Sequence, residues 1–243
     1  MPDDSTLALY ASLEEAIHSA SAEALKAAAA DPGLNEDLAL ALLNRSDLPP
    51  EVLEQISKNT TLVRGRKAKL AIVGHAKTPR YVSVSLVRQL FTFDLMKVAL
   101  TPVIPGDIKA AAEEALIKRL ESLSSGERIS LARRASGRVV GALLLDPETR
   151  VIHAALENPR LTEALVIRAL MAPRSSSALV CAVCQHPNWS QRREIRVALL
   201  RNEKTPLRFA EESAKTRPLA LVKEILQSSR LPEAVKSRLL NQD

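Results

Sequence analysis

A turn that keeps returning limits what this chain can become. It appears as S-D-L-P-P-E-V-L (46–53), K-T-P-R-Y-V (77–82), V-I-P-G-D-I (103–108), R-L-T-E-A-L (160–165), N-W-S-Q-R-R (188–193), K-T-P-L-R-F (204–209) and R-L-P-E-A-V (230–235). In each, Leu, Ile, Thr or Trp precedes Pro, Ser or Thr, and a run with helical patterning follows. Proline is tolerated at the first helical position, where its missing N–H would lack a partner anyway, and a Ser or Thr hydroxyl can cap the helix. The residue before it can pack back onto the first turn as a hydrophobic staple. Each stretch therefore predicts a helix start.

The segments upstream match one another as well. A-L-A-L-L-N (39–44), A-A-L-E-N-P (154–159), A-V-C-Q-H-P (182–187) and V-A-L-L-R-N (197–202) each end an apolar run on Asn or His. Where Pro follows, it disfavours helix in the residue before it. Pro49 and Pro79 are 30 residues apart, Thr162 and Ser190 are 28 apart, and Pro206 and Pro232 are 26 apart. Ser190 to Pro206 is only 16, one helix and its turn. The longer spacing thus holds two helices of roughly 10–12 residues, and about fourteen short helices are expected from Ser12 to Asn241. Helices of that length are marginal alone and must be stabilised by packing on neighbours. The expected fold is an all-α solenoid of stacked helical hairpins, a right-handed superhelix forming one domain over 1–243, with residues 1–10 as a flexible lead.

Composition agrees. Hydrophobic residues make up 46% of the chain while Phe, Trp and Tyr make up 2%, so Ala, Leu and Val supply the apolar mass and favour helix over sheet. The start M-P-D-D-S-T-L is acidic, which does not fit an export signal. The most apolar stretch, V-V-G-A-L-L-L (139–145), is far short of the ~18 residues of a membrane span. A cytoplasmic protein without a membrane span is expected.

The turns E-N-P-R-L-T-E-A-L (157–165), Q-H-P-N-W-S (185–190) and R-N-E-K-T-P-L (201–207) resemble the HEAT-like and leucine-rich-variant repeats of bacterial α-helical proteins. There an asparagine-proline turn and a hydrophobic-proline pair open each helix. The resemblance implies the fold and little about function, because such repeats mostly serve as binding scaffolds for proteins, with nucleic-acid binders and a few enzymes among them.

C-A-V-C-Q-H (181–186) invites a metal or redox reading. Gln185 breaks the haem-attachment pattern, and no second cysteine pair completes a zinc site. Cys181 and Cys184 fall in the last turns of a helix starting near Ser175, where Ala and Leu stand in sibling repeats, so core packing is expected. His75 and His186 share a position at helix ends, suited to capping carbonyls. Adjacent pairs such as Glu113 and Glu114 diverge on a helix and read as solvated faces. No cofactor and no metal site is expected.

Charge is unevenly spread. Residues 1–120 carry 14 Lys/Arg against 15 Asp/Glu; residues 121–243 carry 20 against 13, and 16 of those 20 are Arg. Arg128, Arg133, Arg134 and Arg138 cluster in one segment; Arg192, Arg193, Arg196 and Arg201 cluster in another. Arg192 and Arg196, four apart, are expected to share a helix face, and a ladder of such arginines on a concave surface would grip carboxylates or phosphates. The R-R-A-S stretch also resembles a basic-directed phosphorylation site at Ser136. The function expected is a non-enzymatic scaffold binding a protein partner with an acidic surface. Sequence-independent binding of duplex nucleic acid is the alternative, and a HEAT-like DNA glycosylase the second alternative.

Overall fold

The computed structural model describes residues 13–241; the expected lead, residues 1–10, lies outside them. Among the described residues the chain is all-α, 69% helical and without strands. Two compact units divide it, Met1–Lys118 and Arg119–Asp243.

The first unit holds α1 (residues 13–18), α2 (Ala22–Ala30), α3 (Glu36–Leu43), α4 (Pro50–Lys58), α5 (Thr60–Arg64), α6 (Arg66–Gly74), α7 (Arg80–Val87), α8 (Thr92–Leu100) and α9 (Gly106–Arg119), the last ending at the boundary. Helix α2 packs on α4, α3 on α6, and α6 on α8. Leu42, Leu53, Ile56, Ile72 and Leu95 are fully buried between them, each contributing about 1.5–3 kcal/mol of burial.

The second unit opens with a 3-10 turn (Leu120–Ser122), followed by α10 (Ser125–Arg134), α11 (Gly137–Leu143), α12 (Thr149–Leu156), α13 (Glu163–Met171), α14 (Ser177–Gln185), α15 (Arg193–Arg201), α16 (Leu207–Lys215), α17 (Leu219–Gln227) and α18 (Glu233–Leu240). Its helices pack with the next-but-one helix: α10 on α12 and α12 on α14, then α11 on α13, α13 on α15 and α15 on α17. Small residues permit this closeness. A Cβ on Gly137 would stand 2.6 Å from the Arg160 carbonyl oxygen, and one on Gly141 would stand 3.1 Å from Leu165 Cδ2. Helices are more numerous and shorter than the expected fourteen, because breaks such as Asn59 and Gly65 each cap a new helix start.

Proline acts one position earlier than expected. Pro79, Pro206, Pro218 and Pro232 are N-caps, with φ of −54° to −61° and ψ of 135° to 143°. The N-cap is extended in ψ at a φ that the pyrrolidine ring already holds, so proline stops one helix and starts the next at one residue. The residue before it is buried, as expected of a staple, at Leu48, Ile104, Thr205 and Leu231. The two threonines of K-T-P do more than pack. Thr78 Oγ1 donates to the Ile72 carbonyl at 2.5 Å and Thr205 Oγ1 to the Leu199 carbonyl at 2.7 Å, each satisfying a carbonyl that the ended helix leaves open. Ser190 is not a cap: Arg192 is the N-cap of α15, and Thr162 sits at the N-cap of α13 without a side-chain cap bond.

Candidate functional site

Residues that end helices also tie turns of the second unit to the next-but-one turn. Asn158 Nδ2 donates to the Ala132 carbonyl at the end of α10 at 2.7 Å, while its Oδ1 accepts from the Arg160 N–H at 2.7 Å. Asn202 repeats the pattern, donating to the Leu170 carbonyl at 2.6 Å and accepting from the Lys204 N–H at 2.8 Å. Ser229 Oγ donates to the Leu200 carbonyl at 2.6 Å and accepts from the Leu231 N–H at 3.0 Å. Trp189 Nε1 donates to the Leu156 carbonyl at 2.9 Å. His186 Nδ1 accepts the Asn188 and Trp189 N–H groups, so Nε2 carries the hydrogen and donates to Glu157 Oε1 at 3.2 Å. In the first unit His75 likewise accepts at Nδ1 from Lys77 and donates from Nε2 to the Arg45 carbonyl at 2.8 Å. His75 thus caps a carbonyl of the neighbouring segment and not of its own helix, while His186 caps no carbonyl: each Nδ1 braces the turn that follows, and His186 Nε2 meets a carboxylate.

The Asn158, His186 and Trp189 bonds line up the turns α10–α11, α12–α13 and α14–α15 along one edge, while the Asn202 and Ser229 bonds join turns at the opposite helix ends. Arg217 after α16 joins the first edge by donating from Nη2 to the Arg193 carbonyl at 2.8 Å. The edge carries Arg133, Arg134, Arg138, Arg160, Arg192 and Arg193, all exposed. Arg160 and Arg217 were not singled out in the sequence because each sits inside a turn motif. Burial, then the charges of Arg196 and Arg193, press the Arg217 guanidinium below its ordinary range, which marks this end of the edge as crowded with positive charge. Three carboxylates interleave with these cations, Glu157, Glu163 and Glu194.

The other sequence-predicted arginines are placed differently. Arg128, with its side chain 13% exposed, donates from Nη2 to Glu148 Oε1 at 2.8 Å and from Nη1 to the Leu123 carbonyl. Its Nε lies 3.0 Å from Asp146 Oδ2 but is not aimed at it, so this contact is an ion pair and not a hydrogen bond. Arg196, 14% exposed, is engaged as well: Nε donates to the Ser190 carbonyl at 2.9 Å and Nη2 to Gln191 Oε1 at 2.8 Å. Both arginines are consumed inside the fold. Arg192 and Arg196 do not form a two-residue ladder on one helix face, since Arg192 stands outside the helix. Arg201 is at the far end of α15, about 13 Å away by helix rise. There Arg201, Lys204 and Arg230 surround a notch beside Ser175, where Lys204 Nζ donates to the Ser175 carbonyl at 2.5 Å. That notch receives the carbonyl ends of α13 and α15, so its cations compensate helix C-termini.

Cys184 is buried in α14 and its thiol is pushed up to about 12, first by burial and then by Cys181 and Glu212. It is a core residue without thiolate character near neutral pH. Among the described residues no group of three or more His, Cys, Asp and Glu is arranged to hold a metal. Ser136 is the N-cap of α11 and only 9% exposed, with its Oγ buried. In the first unit Tyr81, Phe91 and Val103 are exposed, and the Arg66 guanidinium stands 5.4 Å over Phe91 while forking onto the buried Asp94 at 2.7 and 2.9 Å. Among the described residues no helix is long and apolar enough to cross a membrane. No family model, curated protein or solved structure matches the chain.

Proposed function

We propose that this protein is a non-enzymatic binding scaffold, a solenoid of HEAT-like or leucine-rich-variant hairpins that engages an acidic protein surface through the arginine edge of residues 119–243. What supports this reading is the hydrogen-bonded succession of turns that carries Arg133, Arg134, Arg138, Arg160, Arg192 and Arg193 along one edge. Arginine rather than lysine suits it, because a planar fork binds a carboxylate with two parallel bonds. The interleaved Glu157, Glu163 and Glu194 favour a protein over duplex DNA. A duplex holds its phosphates at fixed spacing and cannot turn them away from these carboxylates, whereas a flexible acidic chain can direct its own carboxylates to the arginines and bend past the glutamates.

The test is binding of labelled polyglutamate and of a short DNA duplex, each titrated with salt. Tighter binding of polyglutamate, abolished when Arg133, Arg160 and Arg193 are together replaced by Glu, is the expected result. Tighter duplex binding with a steep salt dependence would put nucleic acid first. Failure to bind either would make the edge an ordinary solvated surface.

A further inference from the structure

Arg192 is held at both its backbone and its side chain. Its backbone N–H donates to the Trp189 carbonyl at 3.2 Å and its carbonyl accepts from the Arg196 N–H at 3.0 Å, so the residue is pinned between a turn and the start of α15. Its guanidinium lies over the Trp189 ring, 4.5 Å from the centroid. The ring is itself fixed, because Trp189 is 6% exposed and donates to the Leu156 carbonyl. Nη1 donates to Glu163 Oε2 at 3.3 Å. Arg196 braces the loop beneath by holding the Ser190 carbonyl and the Gln191 side chain. The side chain is nevertheless 46% exposed, and among the described residues its Nε and Nη2 hydrogens have no acceptor. Arg193 is the contrast: 79% exposed, with only a loose 3.9 Å approach to Glu194.

A long side chain normally loses rotamer freedom when it binds, and that loss opposes association. Arg192 has already lost that freedom in the fold. The contact with indole restrains the guanidinium, and the Nε and Nη2 edge is the part that Glu163 leaves unpaired. We infer that Arg192 is the anchor of the edge: it receives one partner carboxylate through its Nε and Nη2 hydrogens, in the two-bond arrangement that only a guanidinium offers. This rests on the proposed reading of the edge as a binder of acidic protein surface. The surrounding exposed arginines supply attraction at a distance, and Glu163 both orients Arg192 and competes with the incoming carboxylate.

The experiment compares polyglutamate affinity in the full chain for wild type, R192K, R193K and E163Q, with Trp189 emission as a second readout. Trp189 is the chain's one tryptophan, so a change in its emission on binding locates the ligand. R192K keeps the charge but loses the fork and the stack; a loss of about tenfold is expected, against less than about twofold for R193K. E163Q, which removes the competing negative charge while keeping an acceptor for Nη1, is expected to bind tighter. Equal small losses in R192K and R193K, with Trp189 emission unmoved by polyglutamate, would overturn the anchor while leaving the edge as a diffuse binder. Absence of wild-type binding would overturn the edge itself and the anchor with it.

Discussion

Asn202 illustrates what single residues do in this fold. Its side chain is buried between two turns, donating to the Leu170 carbonyl and accepting the Lys204 N–H. Alanine there would leave a buried carbonyl without its donor and untie the turn, at about 2–3 kcal/mol. We expect Asn202→Ala to lower the urea midpoint followed by Trp189 fluorescence, while Arg208→Ala on the exposed face of α16 shifts it by less than about 0.5 kcal/mol. Equal midpoints would mean that the Leu170 carbonyl finds another donor. The cysteines give a second expectation. Cys184, raised from 9.0 to about 12, is almost wholly thiol at pH 8, whereas Cys181 is partly exposed. One thiol should therefore react with a disulfide reagent in the native protein and the second only in denaturant; two fast thiols would contradict the burial. The sign of the pH effect follows. Because burial raises the folded value, this contribution is intact below about pH 9, where the unfolded thiol begins to ionise, and it is lost as pH climbs toward 12.

At the scale of the helix, the decisive quantity is how close two turns may come. Gly137 opens α11 directly under the Arg160 carbonyl, with 2.6 Å available to a Cβ. That neighbour is backbone and cannot swing aside, so Gly137→Ala should cost about 1–3 kcal/mol by forcing the α12–α13 turn away. Gly126, where a Cβ meets nothing within 4 Å, is the control: Gly126→Ala should be neutral or slightly stabilising, as helix propensity predicts. Thermal melts of the two variants decide it, and equal melts would show the turn to be pliable. The same comparison explains what the sequence could reveal. Proline has one φ, so Pro79, Pro206 and Pro232 announce helix starts regardless of context, and the all-α class follows from their recurrence. Arg128 and Arg133 cannot be told apart by pattern. Arg128 is largely covered only because Asp146 and Glu148 arrive from the turn before α12, about twenty residues later. Arg192 and Arg196 look like one helical face at four-residue spacing, yet the helix begins at Arg193, so the periodicity does not reach Arg192. The carbonyl-capping role of Thr78 and Thr205 was within reach, since K-T-P occurs twice in the same setting. Packing alone is enough to explain a threonine before proline, so the pattern does not show that its hydroxyl also bonds a carbonyl.

Across the second unit, stability is set by neighbours. Each helix packs chiefly on the next and the next-but-one, so an interior helix is covered on both sides and a terminal one on a single side. Helix α18 contacts α16 and α17 and has only Leu239 fully shielded, whereas α12 buries Val151, Ile152, Ala154, Ala155 and Leu156 between α10 and α14. Where contacts are this local, free energy is close to a sum of helix and interface terms, and opening starts where an interface is missing. Native-state hydrogen exchange should therefore find α18 least protected and α12 and α14 most protected. The cluster of Leu200, Ala210, Val222, Ile225, Leu226 and Leu239 holds the last three helices together. Replacing Ile225 by Ala should cost about 2–5 kcal/mol, felt as faster exchange in α16, α17 and α18 with little change in α10 to α12. Uniform acceleration through the unit would mean instead that these helices open as one cooperative block, and the single-sided packing of α18 would then not govern where the unit opens.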